Sequence, residues 1–217
     1  MRKSVRWIAL AIAALALVFI LGLSFRPTWP SLEQRARREV TTQFRAEWIS
    51  NSELYYTADN GFDRAKVFNI QTRASRPVSS LSKSEGDIMM LALKGDQVPV
   101  PKLNNMRSTL PNGAEIWEAV PSPNKRHNAC IVRFTRSITF GKVINRLFAG
   151  HLQSSQTVTG IWVASEDARE VRCLGVVTYD PNGRVTGDEL VRWLHWSPNG
   201  KLLSFGHNGA LWTIPVE

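Results

Sequence analysis

Only two cysteines, Cys130 and Cys173, occur in 217 residues. That excludes a small scaffold stapled by several disulfides, and it excludes a zinc site built on cysteine alone. In an oxidising compartment the two could form a disulfide, since both stand in apolar, strand-like runs; the other reading is two buried thiols. None lies near the N-terminus, so a bacterial lipoprotein signal is also excluded. The four histidines, His127, His151, His195 and His207, have no ligand spacing to one another or to a cysteine. His127 and His207 are expected at turns with solvated rings, and His195 as a packing residue beside Trp196. There is no Gly-x-Ser-x-Gly elbow and no glycine-rich loop leading from a strand into a helix. His151 lies close to Ser154 and Ser155 in a polar, glycine-flanked stretch that reads as loop. The acidic pairs Glu166/Asp167 and Asp188/Glu189 stand in turn contexts and suit surface charge. The expectation is a protein with no catalytic residue, no cofactor and no metal.

Long helical periodicity is also missing beyond residue 50, with residues 140–152 ("FGKVINRLFAGHL") as the stretch to test for a helical insertion. Acidic residues are outnumbered, 18 against 27 basic, for a net charge of +9. Four of the basic residues (Arg2, Lys3, Arg6 and Arg26) flank one apolar run, which leaves 23 scattered over the rest of the chain. No Lys/Arg run interleaves with aromatics as a strand-tracking groove requires, so no nucleic-acid partner is expected.

What is present begins with that apolar run. From Trp7 through Phe19 to Phe25 there is no charge, and as a helix these residues span roughly 28 Å, close to the hydrocarbon thickness of a bilayer. Residues 1–27 are therefore expected to be a signal-anchor transmembrane helix, with a cleaved signal peptide ending near Gly22 or Ser24 as the alternative. Basic residues flank both sides, so the positive-inside rule does not decide orientation. Both readings place the following domain outside the cytoplasm, and with the anchor the chain is expected to be a single-pass protein of the bacterial inner membrane facing the periplasm. Pro27 and Pro30 end the first segment. Ser31 with Gln34 fits a capping box, and Leu32, Ala36, Val40 and Phe44 recur every four residues. Residues 28–45 are accordingly expected to be a juxtamembrane linker with a short amphipathic helix.

From residue 46 to residue 217 short apolar runs alternate with Asn-Gly and Pro-Asn-Gly turns. The runs form a repeat. The last copy reads Trp196, Ser197-Pro198-Asn199-Gly200, "KLLSF", "GHNG", "ALWTIPV" with Trp212. The middle copy holds Trp117, Ser122-Pro123-Asn124 without the glycine, "NACIVRF", an interruption over residues 135–158, then "TGIWVAS" with Trp162. The first holds Trp48, "ELYYT" and "AKVFNI". In such turns proline presets φ at the first corner and glycine accepts the exit. "KLLSF" and "ALWTIPV" carry apolar residues on both faces, as a sheet covered on both sides requires.

The segment "HWSPNGKLLSFGHNGALWTIPV" resembles the repeat of the TolB-like propeller family, a relative of WD-repeat propellers. The resemblance is specific over residues 193–216, partial over 117–174 and weak over 46–73. It implies an all-β fold, a partial or small β-propeller of four-stranded antiparallel blades. The preceding helices would be the transmembrane one and the short amphipathic one. Three blades are identifiable, with a fourth possible at 76–114, and the last misses its outer strand. An earlier segment could supply it in cis, a second copy could supply it in trans, or the edge could bind a partner. Propellers often bind through loops at one end, so the implied function is a protein-binding module without catalysis of its own. The alternatives are an accessory subunit of a separate hydrolase or peptidase, and a small-molecule or glycan binder using Trp29 or Trp117, of which Trp117 suits a buried strand position better. The expected partners are the lipid bilayer and another protein.

Overall fold

The computed structural model describes residues 29–42, 46–57, 65–78, 103, 106–137, 155–179 and 190–216. Trp7, Phe19 and Phe25 of the expected transmembrane segment lie outside them, as do residues 79–102 of the possible fourth unit and 140–152 of the possible helical insertion. Among the described residues no helix is long and apolar enough to cross a membrane.

The architecture is all-β, in three four-stranded antiparallel sheets. Sheet I is a meander of β2 (Ala46–Trp48), β3 (Glu53–Thr57), β4 (Ala65–Asn69) and β5 (Ala74–Pro77). Sheet II is a second meander of β6 (Glu115–Pro121), β7 (His127–Ser137), β8 (Ser155–Ser165) and β9 (Val171–Tyr179). In sheet III, β10 (Arg192–Trp196), β11 (Leu202–His207) and β12 (Ala210–Pro215) follow in order, and the fourth strand is β1 (Arg37–Thr41). The strand that completes the last unit therefore comes from the same chain, with Arg38 opposite Trp212 and Val40 opposite Leu211.

This corrects the expected amphipathic helix. Only one turn forms, α1 (Leu32–Arg35), and Ser31 makes no side-chain cap. Local periodicity loses to tertiary pairing here. The open edge of β12 offers a row of backbone partners, and the β-branched Val40 and Thr41 suit a strand. Pro30 and Ser31 lie along β9: Val176 N–H donates to the Pro30 carbonyl, and Arg35 donates from Nη1 to the Leu174 carbonyl at 3.1 Å. Residues 30–41 thus strap the outer edge of sheet II to that of sheet III.

Sheet III lies between the other two and buries both faces. Leu203, Phe205 and Ile214 pack against Ala129, Ile131, Ile161 and Val163 of sheet II, with Leu32 and Trp196 in the same cluster. On the opposite face, Leu202 and Leu211 pack with Trp48, Leu54 and Phe68 of sheet I. Full burial of a residue such as Phe205 stabilises the fold by about 2–3 kcal/mol. The far face of sheet II is covered in turn by Leu103, Met106 and Leu110 from the segment before β6.

Cys130 on β7 and Cys173 on β9 both stand opposite Trp162 of the intervening β8. Two strand spacings, roughly 10 Å, exceed what a disulfide bridges. Both are free thiols, so the disulfide is not formed.

Candidate functional site: the turn end and its cleft

The Ser-Pro-Asn turns form as read. In residues 197–200, Gly200 N–H donates to the Ser197 carbonyl at 2.8 Å. The Asn199 carboxamide oxygen accepts from the Ser197 hydroxyl and from Lys201 N–H, and Leu202 N–H donates to Ser197 Oγ. Gly200 has φ +69°, a conformation that glycine adopts without a Cβ clash. The turn at 122–125 repeats every bond: Lys125 N–H to the Ser122 carbonyl, Ser122 Oγ to Asn124 Oδ1, Arg126 N–H to Asn124 Oδ1, and His127 N–H to Ser122 Oγ. Here Lys125 takes the left-handed place at φ +58°.

A third copy of this turn escaped the sequence reading. At Ser165-Glu166-Asp167-Ala168, Ala168 N–H donates to the Ser165 carbonyl. Asp167 Oδ1 accepts from Ser165 Oγ at 2.6 Å and from Arg169 N–H at 3.2 Å, and Glu170 N–H donates to Ser165 Oγ at 3.1 Å. Asp167 does what asparagine does elsewhere, and the Ser165 hydroxyl holds its carboxyl below the usual carboxylate range. The available signal was a serine two residues before a carboxylate, with a strand on either side.

These turns lie at the same end of the described sheets and touch. Glu166 N–H donates to the Arg126 carbonyl at 2.9 Å. Gly200 faces the ring of Pro123, and Asn199 N–H donates to Asn51 Oδ1 of sheet I at 2.8 Å. Between sheets II and III they enclose a cleft of about 760 Å³. Its apolar wall is Val163, Val171, Trp196 and Val216; Arg169, Arg172, Lys201, His127 and Glu170 surround it. Trp196 is nearly buried and its indole N–H donates to the Val120 carbonyl at 3.0 Å. Arg172 donates to the Val216 carbonyl.

Polar contacts also join the first strands of the three sheets. The Glu118 carboxylate on β6 accepts from Trp193 N–H at 3.0 Å and Leu194 N–H at 2.9 Å, across an irregular stretch of β10 in which Trp193 has φ +57°. His195 of β10 approaches Glu47 of β2 at 3.3 Å. His195 therefore joins two sheets as well as packing.

The structure brings Ser122, Pro123, Asn124, Trp196, Ser197, Pro198, Asn199 and Gly200 to the turn end. Trp48 and Trp162 are buried in separate clusters, and Trp212 packs on the sheet II side of β12. Two expectations are corrected. His207 is not solvated: it is 2% exposed and its Nε2 lies 3.1 Å from Glu33 of α1, because the strap covers the end of β11. Trp117 is not buried: it is 45% exposed, at a register shift in β6, with the Arg133 guanidinium 4.5 Å over its ring. Trp29 instead packs edge-on against Phe134. Residues 135–137 and 155–158 of the expected interruption extend β7 and β8; His151 and Ser154 lie outside the described residues. Among the described residues no group of three His, Cys, Asp or Glu side chains is placed to hold a metal.

No family model matches the chain, and no curated protein matches it. Among solved structures the chain is similar to an oligogalacturonate lyase in complex with manganese, at 10% identity and a TM-score of 0.20. The match covers 77% of this chain and 46% of that protein.

Proposed function

We propose that this chain is a membrane-anchored, extracytoplasmic, propeller-like module that holds another protein and does no catalysis of its own. The apolar run over residues 7–25 supports the anchor. Repeated four-stranded sheets, each shielding its neighbour, support the propeller-like reading. The observation that carries the binding role is the cleft of about 760 Å³, which opens where the turns of two neighbouring sheets meet. Rigid sheets that present turns at one end make a standing surface for recognition. A photo-crosslinking residue placed at Lys201 in the full chain, in its native membrane, is expected to give a discrete adduct with one polypeptide. The same residue at Lys66, exposed on β4, is expected to give none. If neither Lys201 nor any other turn-end position yields a polypeptide adduct, the binding role is wrong.

The exposure of Trp117 favours a second reading, a glycan or small-molecule binder that stacks a ring on its indole. A panel of oligosaccharides that raises the melting temperature of the natural chain but not of Trp117→Ala would establish it. A flat response would dispose of it.

A further inference from the structure

We infer that the cleft between sheets II and III takes an extended acidic segment of a partner protein, in which carboxylates alternate with aliphatic side chains. This rests on the protein-binding reading and adds the chemistry of the partner. Among the described residues the charge around the cleft is unbalanced: Arg169, Arg172 and Lys201 face a single lining carboxylate, Glu170. Arg169 is partly neutralised by Asp167 at 3.1 Å, and Arg172 holds the Val216 carbonyl. Lys201 has no carboxylate partner among the described residues. The wall between the cations is carbon: three valines and the body of Trp196, whose only donor is already used by Val120. A groove that is apolar along its wall and cationic along its rim matches a strand-like peptide, whose successive side chains point alternately to wall and rim.

The same geometry disfavours single-stranded nucleic acid. Base stacking needs an open aromatic face, and Trp196 is only 9% exposed. An acidic peptide needs no stacking platform, only aliphatic contact and exposed cations. Because those cations are solvated, each ion pair contributes little and is weakened by salt. The expected affinity is therefore micromolar and salt-sensitive.

The test is fluorescence anisotropy on the full chain in detergent micelles. The probe is a labelled octapeptide alternating glutamate with leucine or valine; its lysine-for-glutamate counterpart and a labelled eight-nucleotide single strand are the comparisons. Micromolar binding of the acidic probe alone is expected, weakened severalfold on raising salt from 50 to 300 mM. Combining Lys201→Glu with Arg169→Glu is expected to weaken it about tenfold or more, whereas Lys66→Glu leaves it unchanged. Lys201→Ala, a milder change on an exposed turn, is expected to cost two- to threefold and guards against a misfolded double variant. Equal loss with Lys66→Glu, preferential binding of the nucleotide or the lysine peptide, or no binding of the acidic probe would overturn the inference. Such a failure alongside a discrete adduct from Lys201 would leave the protein-binding role standing and remove only the acidic partner.

Discussion

Lys125 occupies the position that Gly200 holds in the sister turn, at φ +58° against +69°. A side chain in that region costs about 1–2 kcal/mol, offset in part by the greater freedom glycine has when unfolded. The substitution Lys125→Gly is expected to raise stability by roughly 0.5–1 kcal/mol, read as a higher urea midpoint with unchanged slope. The two thiols offer a second residue-scale test. Burial pushes Cys130 and Cys173 up to about 12 from 9.0. Their thiolates are thus disfavoured in the folded chain, and alkylation by iodoacetamide at pH 8 is expected to be slow until urea unfolds the protein. The sign for stability follows. The contribution is full below about 9, where both states are protonated, and it declines as pH rises towards about 12, because only the unfolded thiols ionise in that window. A folded chain whose urea midpoint did not fall between pH 8.5 and 10.5 would contradict this.

At the scale of elements, the join between the strap and sheet II depends on Gly175. A Cβ there would sit 2.7 Å from Leu32 Cα and 3.0 Å from Leu32 N, both backbone atoms. A flexible side chain could move aside, but backbone held by Pro30, Ser31 and Arg35 contacts cannot. Gly175→Ala is therefore expected to lift α1 from β9. Limited trypsin digestion should then cut after Arg35, Arg37 or Arg38 several times faster than in the natural chain, while cleavage after Arg133, inside sheet II, stays slow. Unchanged cleavage near Arg35 would show that the strap does not need this close approach. The strap also illustrates what sequence reading reaches. The turns at 122–125 and 197–200 were legible because proline, asparagine and glycine act within four residues. The pairing of residue 40 with residue 211 was not, since nothing local marks a partner so distant, and the four-residue spacing of Leu32, Ala36 and Val40 pointed to a helix.

At the scale of the whole molecule, the apolar residues on both faces of "KLLSF" and "ALWTIPV" implied a sheet covered on each side, and sheet III is so covered. Period-2 patterning records burial directly, because successive side chains of a strand point to opposite faces. The candidate cleft was less legible. Its cations are spread over residues 169, 172 and 201, which meet only when two sheets dock, and a scattered basic residue carries no sign of its neighbours. Trp117 shows the same limit from the other side, since an aromatic in a strand-like run suits the interior and this one lies at the surface.

The path of residues 30–41 has a mechanical meaning. Tension drawn through the chain at residue 29 meets the packing of Trp29 on Phe134 and the contacts of Pro30 and Ser31 with Val176, then Arg35 on Leu174, and only afterwards the ladder of β1 on β12. A pull from that side is therefore carried in series, and it arrives at the seam between sheets II and III, where the cleft opens, before it is felt by sheet I.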